Sequence, residues 1–202
     1  MNDLHELEKD TYEQMWALDS YAEFSPGEKY LPIFLDMLAA RSLPREIVYA
    51  TGYKRQPTVL DAGIGSGKGA VALRNAGFDV TGCDIVDPTL LPEQAKQFPV
   101  FQSALWLNLQ TSRHDYVYCC DVMEHIPPQF TMLVVHQLLR VARHGVFFSI
   151  STVPDMSGAF IGKPLHLTVQ PYVWWRDSLA LVGTVLESRD LLNAVCFFVG
   201  HR

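Results

Sequence analysis

The sequence predicts an α/β fold: a doubly wound sheet of five parallel strands closed by an antiparallel C-terminal hairpin. Three observations predict it. From residue 57 onward, short apolar runs of strand length alternate with segments of helical periodicity. The first of these runs breaks into Gly63, Gly65, Gly67 and Gly69 before its helix begins. The last two runs are joined by about six residues, SRDLLN, whereas a parallel crossover needs a dozen or more.

Residues 2–50 read as helical with one break, at EFSPGEKY. Ser25 and Glu28 there form a capping box, with Pro26 at the first helical position. The five parallel strands are expected in PTVLDAG, FDVTGCDI, PVFQSAL, DYVYCCDV and GVFFSIST, and the hairpin in LVGTVLES and NAVCFFVG. GAVALRNAG and the amphipathic QFTMLVVHQLLRVAR supply crossover helices, and a further helix carries Trp174 and Trp175. The expected organisation is a single domain over 1–202, with a helical cap or lid over 1–50 and an α/β core over 57–202. The aromatic-rich stretch around Tyr12, Trp16, Tyr21 and Phe24 suits either a packed helix pair or a lid over a pocket.

Composition limits the function classes. The chain has 202 residues, 49% of them apolar, and a net charge of −6. That is enough for a full core, and it offers no basic field for a nucleic-acid backbone. The four cysteines make no C-x-x-C pair and no metal-ligand spacing, so they read as buried, reduced hydrophobes. The charged start MNDLHELEKD has no apolar signal core, and no run reaches the ~18 apolar residues of a membrane helix. A cytoplasmic protein, monomeric or homodimeric and with no membrane partner, is expected.

The glycine cluster fits three ligand classes unequally. A P-loop, G-x-x-x-x-G-K-[ST], fails at both ends: Ala62 stands at its first position and Gly69 follows Lys68. Gly65-Ser66-Gly67-Lys68-Gly69-Ala70 does fit a dinucleotide turn, with Asp84 about 20 residues on. Asp61 decides between the remaining two. A fixed carboxylate beside the turn repels a pyrophosphate but attracts the ammonium and sulfonium of a phosphate-free cofactor such as S-adenosylmethionine. Asp84 serves the ribose diol in either case.

VLDAGIGSGKG, then VTGCDI, then DYVYCCDVMEHIPP resembles the class I S-adenosylmethionine-dependent methyltransferases, over roughly residues 57–200. DVMEHIP is especially similar to the branch with many small-molecule O- and N-methyltransferases. The resemblance implies a Rossmann-like core with S-adenosylmethionine as cofactor and S-adenosylhomocysteine as its product. It places Asp61, Ala62, Gly63, Gly65 and Gly67 at the methionine end. Asp84 takes the ribose hydroxyls and Ile85 packs on the adenine. Ser103, Ala104 and Leu105 replace the acidic residue that the family often puts near the adenine amino group. Asp121 and Val122 complete the cofactor set.

Acceptor-side candidates follow from position. In such sheets ligands sit beyond the carboxyl ends of the strands, where Asp121, Glu124 and His125 follow one strand and Asp155 and His166 the next. His166, His125 and Glu124 are the expected catalytic residues, a histidine base being useful where an oxygen acceptor loses a proton. Asp121-x-x-Glu124-His125 with His166 also resembles the Glu/His metal centre of small-RNA 2′-O-methyltransferases. With Asp for the first Glu and no basic surface, no metal is expected. The marks of exocyclic-amino and cytosine-C5 nucleobase enzymes are missing. The expected function is therefore methyl transfer to a small-molecule acceptor, at a hydroxyl oxygen. The alternatives are a non-catalytic cofactor-binding subunit and a methyltransferase of nucleotides or nucleic acid. An NAD-dependent oxidoreductase ranks behind both.

Overall fold

The structure is a computed structural model that describes residues 2–18, 20–24, 26–109 and 112–202, without the side chains of residues 2, 3, 22 and 24. Ser25 and the packing of Phe24 lie outside the described residues, but the expected helix start at Pro26 is not found: the next helix begins at Leu31, with Tyr30 as its N-cap and no side-chain cap.

The chain opens with helix α1 (Asn2–Trp16), a 3-10 turn at Tyr21–Phe24 and helix α2 (Leu31–Ala40). Residues 43–50 do not continue the helical segment. Strand β1 (Ile47–Val48) instead pairs with β2 (Lys54–Arg55) in a small antiparallel ribbon. Gly52, at φ 81°, turns the chain between them, a conformation that costs glycine nothing.

The main sheet follows as β3 (Thr58–Ala62), α3 (Lys68–Asn75), β4 (Asp79–Asp84), β5 (Val100–Gln102), β6 (His114–Cys120), α4 (Thr131–Val141) and β7 (Ala142–Ser151). Helix α5 (Tyr172–Val182) then leads to β8 (Thr184–Asp190) and β9 (Ala194–Gly200). The spatial order is β5-β4-β3-β6-β7-β9-β8. The first five strands are mutually parallel, while β9 runs antiparallel to β7 and β8. The expected five-plus-hairpin sheet is therefore present. The hairpin connection is shorter than SRDLLN, because β8 runs on to Asp190 and leaves three residues, 191–193, for the turn.

Both sheet faces are covered, so the central strand β6 is buried at every position, as parallel sheets require. Val117 and Cys119 face α4 and α5, against Val134, Leu138 and Trp175. Tyr116 and Tyr118 face the other way, toward α2 and α3. Helix α2 belongs to this second layer: Phe34, Met37 and Leu38 are fully buried. The Phe34 ring meets Phe78, Tyr116, Tyr118, Phe147 and Phe198 at centroid distances of 5.3–6.4 Å. Phe34→Ala is expected to lower stability by about 3–5 kcal/mol, the range for truncating a buried aromatic. Urea unfolding checks this, and a loss below ~1 kcal/mol would remove α2 from the core.

At the amino end of β6, Asp115 ties β2 to the sheet. Its carboxylate accepts bonds from the guanidinium of Arg55 and from the Thr58 N–H, the latter at 2.8 Å. Burial works against ionisation, but these partners outweigh it and hold the carboxyl at about 2. All four cysteines are buried free thiols. Among the described residues, no helix is long and apolar enough to cross a membrane.

Candidate active site

The strand order reverses between β3 and β6: the chain winds outward to β5, then returns to the other side of β3. Such a switch point opens a crevice at the carboxyl ends of the strands. A cleft with about 980 Å³ of empty space, open solvent included, lies there. The loops after β3, β4, β5, β6 and β7 form its walls, and α1 with Tyr21 covers it through Glu8, Tyr12 and Trp16.

The turn after β3 forms one end. Gly63, Gly65 and Gly67 all have positive φ, at 78°, 49° and 80°, so each sits where a side chain is strained. Two are also crowded. A Cβ on Gly63 would lie 2.5 Å from Val122 Cγ2, and one on Gly67 would lie 2.5 Å from the Ala95 nitrogen. Gly63 and Ile64 donate their N–H groups to the Cys83 carbonyl, at 2.9 and 3.0 Å. Asp84 braces the same turn: its carboxylate accepts from Gly65 N–H at 3.0 Å and Val86 N–H at 3.1 Å. Burial raises the Asp84 pKa against the pull of those N–H groups.

Asp61 lies behind the turn. Its residue is 4% exposed, and its Oδ2 has no hydrogen-bond partner. Burial, with the neighbouring Asp84 charge second, pushes its pKa up to about 8. An orphaned buried carboxylate oxygen needs an explanation. A cation at the turn is one, and it matches the ammonium and sulfonium of S-adenosylmethionine better than any phosphate.

The opposite end is built from three segments. Asp121 leaves β6 at φ 58°, an uncommon conformation that concentrates at functional sites. Glu124 is fully buried in a 3-10 turn at Met123–His125; its Oε1 accepts from Ser151 N–H and its Oε2 has no partner. Burial, and next the charge of Asp121, raises its pKa. The Glu124 carbonyl accepts from Leu167 and Thr168 N–H at 2.7 and 2.8 Å, which fastens the loop after β7 onto the turn after β6.

His125 and His166 meet there edge-on, with ring centroids 4.7 Å apart. Asp155 shapes the His166 loop, accepting from the N–H groups of Gly158, Leu165 and His166 at 2.6, 2.8 and 3.3 Å. Those N–H bonds outweigh burial and hold its pKa down. His125 Nδ1 is 2.6 Å from the Tyr12 hydroxyl, which latches α1 to the site. Burial depresses the His125 pKa to about 4.

The cleft wall includes Gly63, Gly65, Asp84, Ile85, Ser103 and Leu105 at the glycine-turn end, with Asp121, Val122, His125 and His166 beyond them. Asp61, Ala62, Gly67, Ala104 and Glu124 are not part of that wall. The Ser103 hydroxyl donates to the Ala104 carbonyl at 3.2 Å. Lys68 reaches the Glu23 carbonyl at 3.2 Å, away from the cleft. Glu8 and Ser157 were not among the expected residues. Glu8 was within reach: with Tyr12 and Trp16 it recurs every four residues and shares one helix face. Ser157 had no local signal.

Comparison with known proteins bears on the family and the fold. The model of a family described as "Methyltransferase domain" matches residues 33–179. Two curated relatives are ubiquinone biosynthesis O-methyltransferases. That of Pseudoalteromonas translucida is 26% identical over 68% of this chain and 57% of its own length. That of Acinetobacter baumannii is 28% identical over 73% of this chain and 62% of its own. The match thus spans less than two thirds of either relative. A magnesium protoporphyrin IX methyltransferase from Synechocystis PCC 6803, solved with S-adenosylhomocysteine, shares the fold with TM-score 0.62 and 16% identity, over 96% of this chain and 94% of that one. A Burkholderia thailandensis 1,6-didemethyltoxoflavin-N1-methyltransferase shares it with TM-score 0.59 and 16% identity, over 91% and 80%. With the family model covering most of the sheet and the glycine turn standing at its switch point, the chain belongs to the class I, S-adenosylmethionine-dependent methyltransferase family.

Proposed function

We propose that the protein transfers a methyl group from S-adenosylmethionine to a hydroxyl oxygen of a small molecule. The observation that carries this reading is Asp84, which ends β4 inside the cleft wall and holds the glycine turn through Gly65 N–H. Gly63 and Gly65 take the methionine end and Asp61 supplies negative charge behind them. Ala62 and Gly67 shape that turn from outside the wall. Asp84 binds the ribose diol, and Ile85, Ser103, Ala104 and Leu105 surround the adenine. Asp121 and Val122 lie where the cofactor meets the acceptor.

The bound cofactor supplies a methyl group activated by sulfonium. What the chain adds is position and exclusion of water, with α1 as the cover. His166 and His125 face the acceptor and help its hydroxyl lose a proton, with Glu124 buried behind them. This cluster favours an enzyme over a non-catalytic subunit, because a binding partner has no use for buried acceptor-side acids and histidines. The names of the curated relatives, O-methyltransferases, favour oxygen as the acceptor atom.

Two measurements test the cofactor assignment. Asp84→Ala is expected to weaken S-adenosylhomocysteine binding by about 1.5–3 kcal/mol, the range for hydrogen bonds to a charged group. Calorimetry on a variant shown to be folded reads this directly, and unchanged affinity would remove Asp84 from the ribose.

Asp61 makes the second test. In the free protein its pKa of about 8 leaves it protonated at pH 6–7, and a cation at the turn favours the ionised form. S-adenosylmethionine binding should therefore release protons, and its affinity should rise with pH up to about 8, by at most ~1.4 kcal/mol per pH unit. Titration in buffers of different ionisation enthalpy measures the release. A proton count of zero together with a flat pH profile would mean that Asp61 does not sense the cofactor. Screening small-molecule extracts with methyl-labelled cofactor then identifies the acceptor.

A further inference from the structure

We propose that Glu8, on the α1 cover, binds an ammonium group of the methyl acceptor, so that the acceptor is a small amine that also carries the reacting hydroxyl. This substrate class rests on the methyltransferase reading.

The charges of the cleft wall are one-sided. Glu8, Asp84, Asp121 and Asp155 all line it, and no lysine or arginine does. The His125 ring adds no charge at neutral pH, because burial depresses its pKa to about 4. An acceptor bearing a phosphate or carboxylate would enter a field of like charge, and such a mismatch rejects a ligand strongly.

Two of the four acids are already engaged. Asp84 accepts from Gly65 and Val86 N–H, and Asp155 from the N–H groups of Gly158, Leu165 and His166. Asp121 belongs with the cofactor on the methyltransferase reading. Glu8 is different. It projects from the cover, and among the described residues its carboxylate has no hydrogen bond and no close ion pair. Burial raises its pKa, and the charge of Lys163 only partly offsets that rise. Lys163 itself lies outside the wall and reaches the Thr11 hydroxyl at 3.5 Å. A partly buried carboxylate without a close counter-charge is disfavoured, and an ammonium in the cleft removes that penalty.

The rings beside Glu8 suit the same group. Tyr12 and Trp16 follow it at four-residue steps along one face of α1. Tyr21 packs on Trp16 with ring centroids 4.7 Å apart. All three rings line the cleft. Aromatic faces attract an ammonium through their quadrupole and offer an anion nothing comparable. The helix also sets a scale. The Tyr12 hydroxyl is 2.6 Å from His125 Nδ1, and Glu8 stands four residues earlier, ~6 Å along the axis. An amine with its hydroxyl a few bonds away spans that distance.

The test passes a small-molecule extract at pH 7 through a cation exchanger and, separately, through an anion exchanger. Each fraction is then assayed for methyl transfer from labelled cofactor. The acceptor is expected to be held by the cation exchanger and to pass the anion exchanger. With that fraction, Glu8→Gln should raise the relative KM by about 10–100-fold, the scale of a hydrogen bond to a charged group. Its kcat and S-adenosylhomocysteine affinity should stay near the wild-type values, and Glu8→Asp should recover part of the loss. Circular dichroism establishes that both variants are folded. Acceptor activity that the anion exchanger holds, or that passes both columns, overturns the amine class and leaves methyl transfer standing. An unchanged KM in Glu8→Gln overturns the role of Glu8 in the same way. No transfer from any fraction, by protein that binds S-adenosylhomocysteine, overturns the methyltransferase reading and the acceptor class with it.

Discussion

Gly65→Val is expected to abolish measurable S-adenosylhomocysteine binding while leaving the protein folded. Gly65 has φ 49°, a conformation that β-branched residues scarcely adopt. Its N–H is the one that Asp84 accepts, at 3.0 Å. Valine at this position strains the turn by an amount of order 1–3 kcal/mol, and relief of that strain breaks the link between turn and ribose site. Gly65 is also part of the cleft wall, so the added side chain takes space that the ligand needs. At Gly63 and Gly67 a new Cβ meets Val122 or the Ala95 backbone at 2.5 Å, and a loss of binding there would mix strain in the packed interior with loss of the site. Calorimetry for binding and thermal unfolding for stability separate the two effects. A folded Gly65→Val that binds with native affinity would show that the turn does not hold the cofactor.

That turn was legible in the sequence because its chemistry is local. Asp61, Gly63, Gly65 and Gly67 stand within seven residues of one another, and Asp84 follows at the end of the next strand. The sheet was legible for a similar reason: β6 and β7 are apolar runs of strand length, bounded by polar turns. The stretch 43–50 reads as helical only by continuation from the helices before it. Ile47-Val48-Tyr49, then Gly52, already carried the β-branched and turn signals of a short hairpin. The acceptor side is another matter. His125 and His166 are separated by 40 intervening residues, and only the parallel pairing of β6 with β7 brings their loops together. No local pattern encodes that contact. Glu124 shows the limit most clearly. A glutamate between a strand and a helix gives no sign of burial, yet here the loop after β7 closes over it and leaves it fully buried.

His166→Ala should lower the methyl-transfer rate by about 10²–10⁴, the scale for losing a positioned proton-handling group, with cofactor affinity almost unchanged. The asymmetry follows from the two ends of the cleft. The glycine turn after β3 is braced by Asp84 at the end of β4, whereas His166 stands against His125 at the other end of the cleft. The loop should survive the substitution, because Asp155 holds the backbone N–H groups of Gly158, Leu165 and residue 166 rather than the imidazole. The substitution removes the Nδ1 bond to the Val153 carbonyl, a contribution of about 1 kcal/mol, and the edge-on contact with His125. Single-turnover transfer from methyl-labelled cofactor, with the acceptor found by extract screening, measures the rate; the Asp84→Ala variant should show the opposite pattern of weakened cofactor binding. If the histidines act through a bound ion, a chelator should reproduce the His166→Ala loss in the wild-type protein, and Glu124→Gln should match it. Transfer at full rate by folded His166→Ala and His125→Ala would reduce both rings to scaffold and leave proximity alone to carry the reaction.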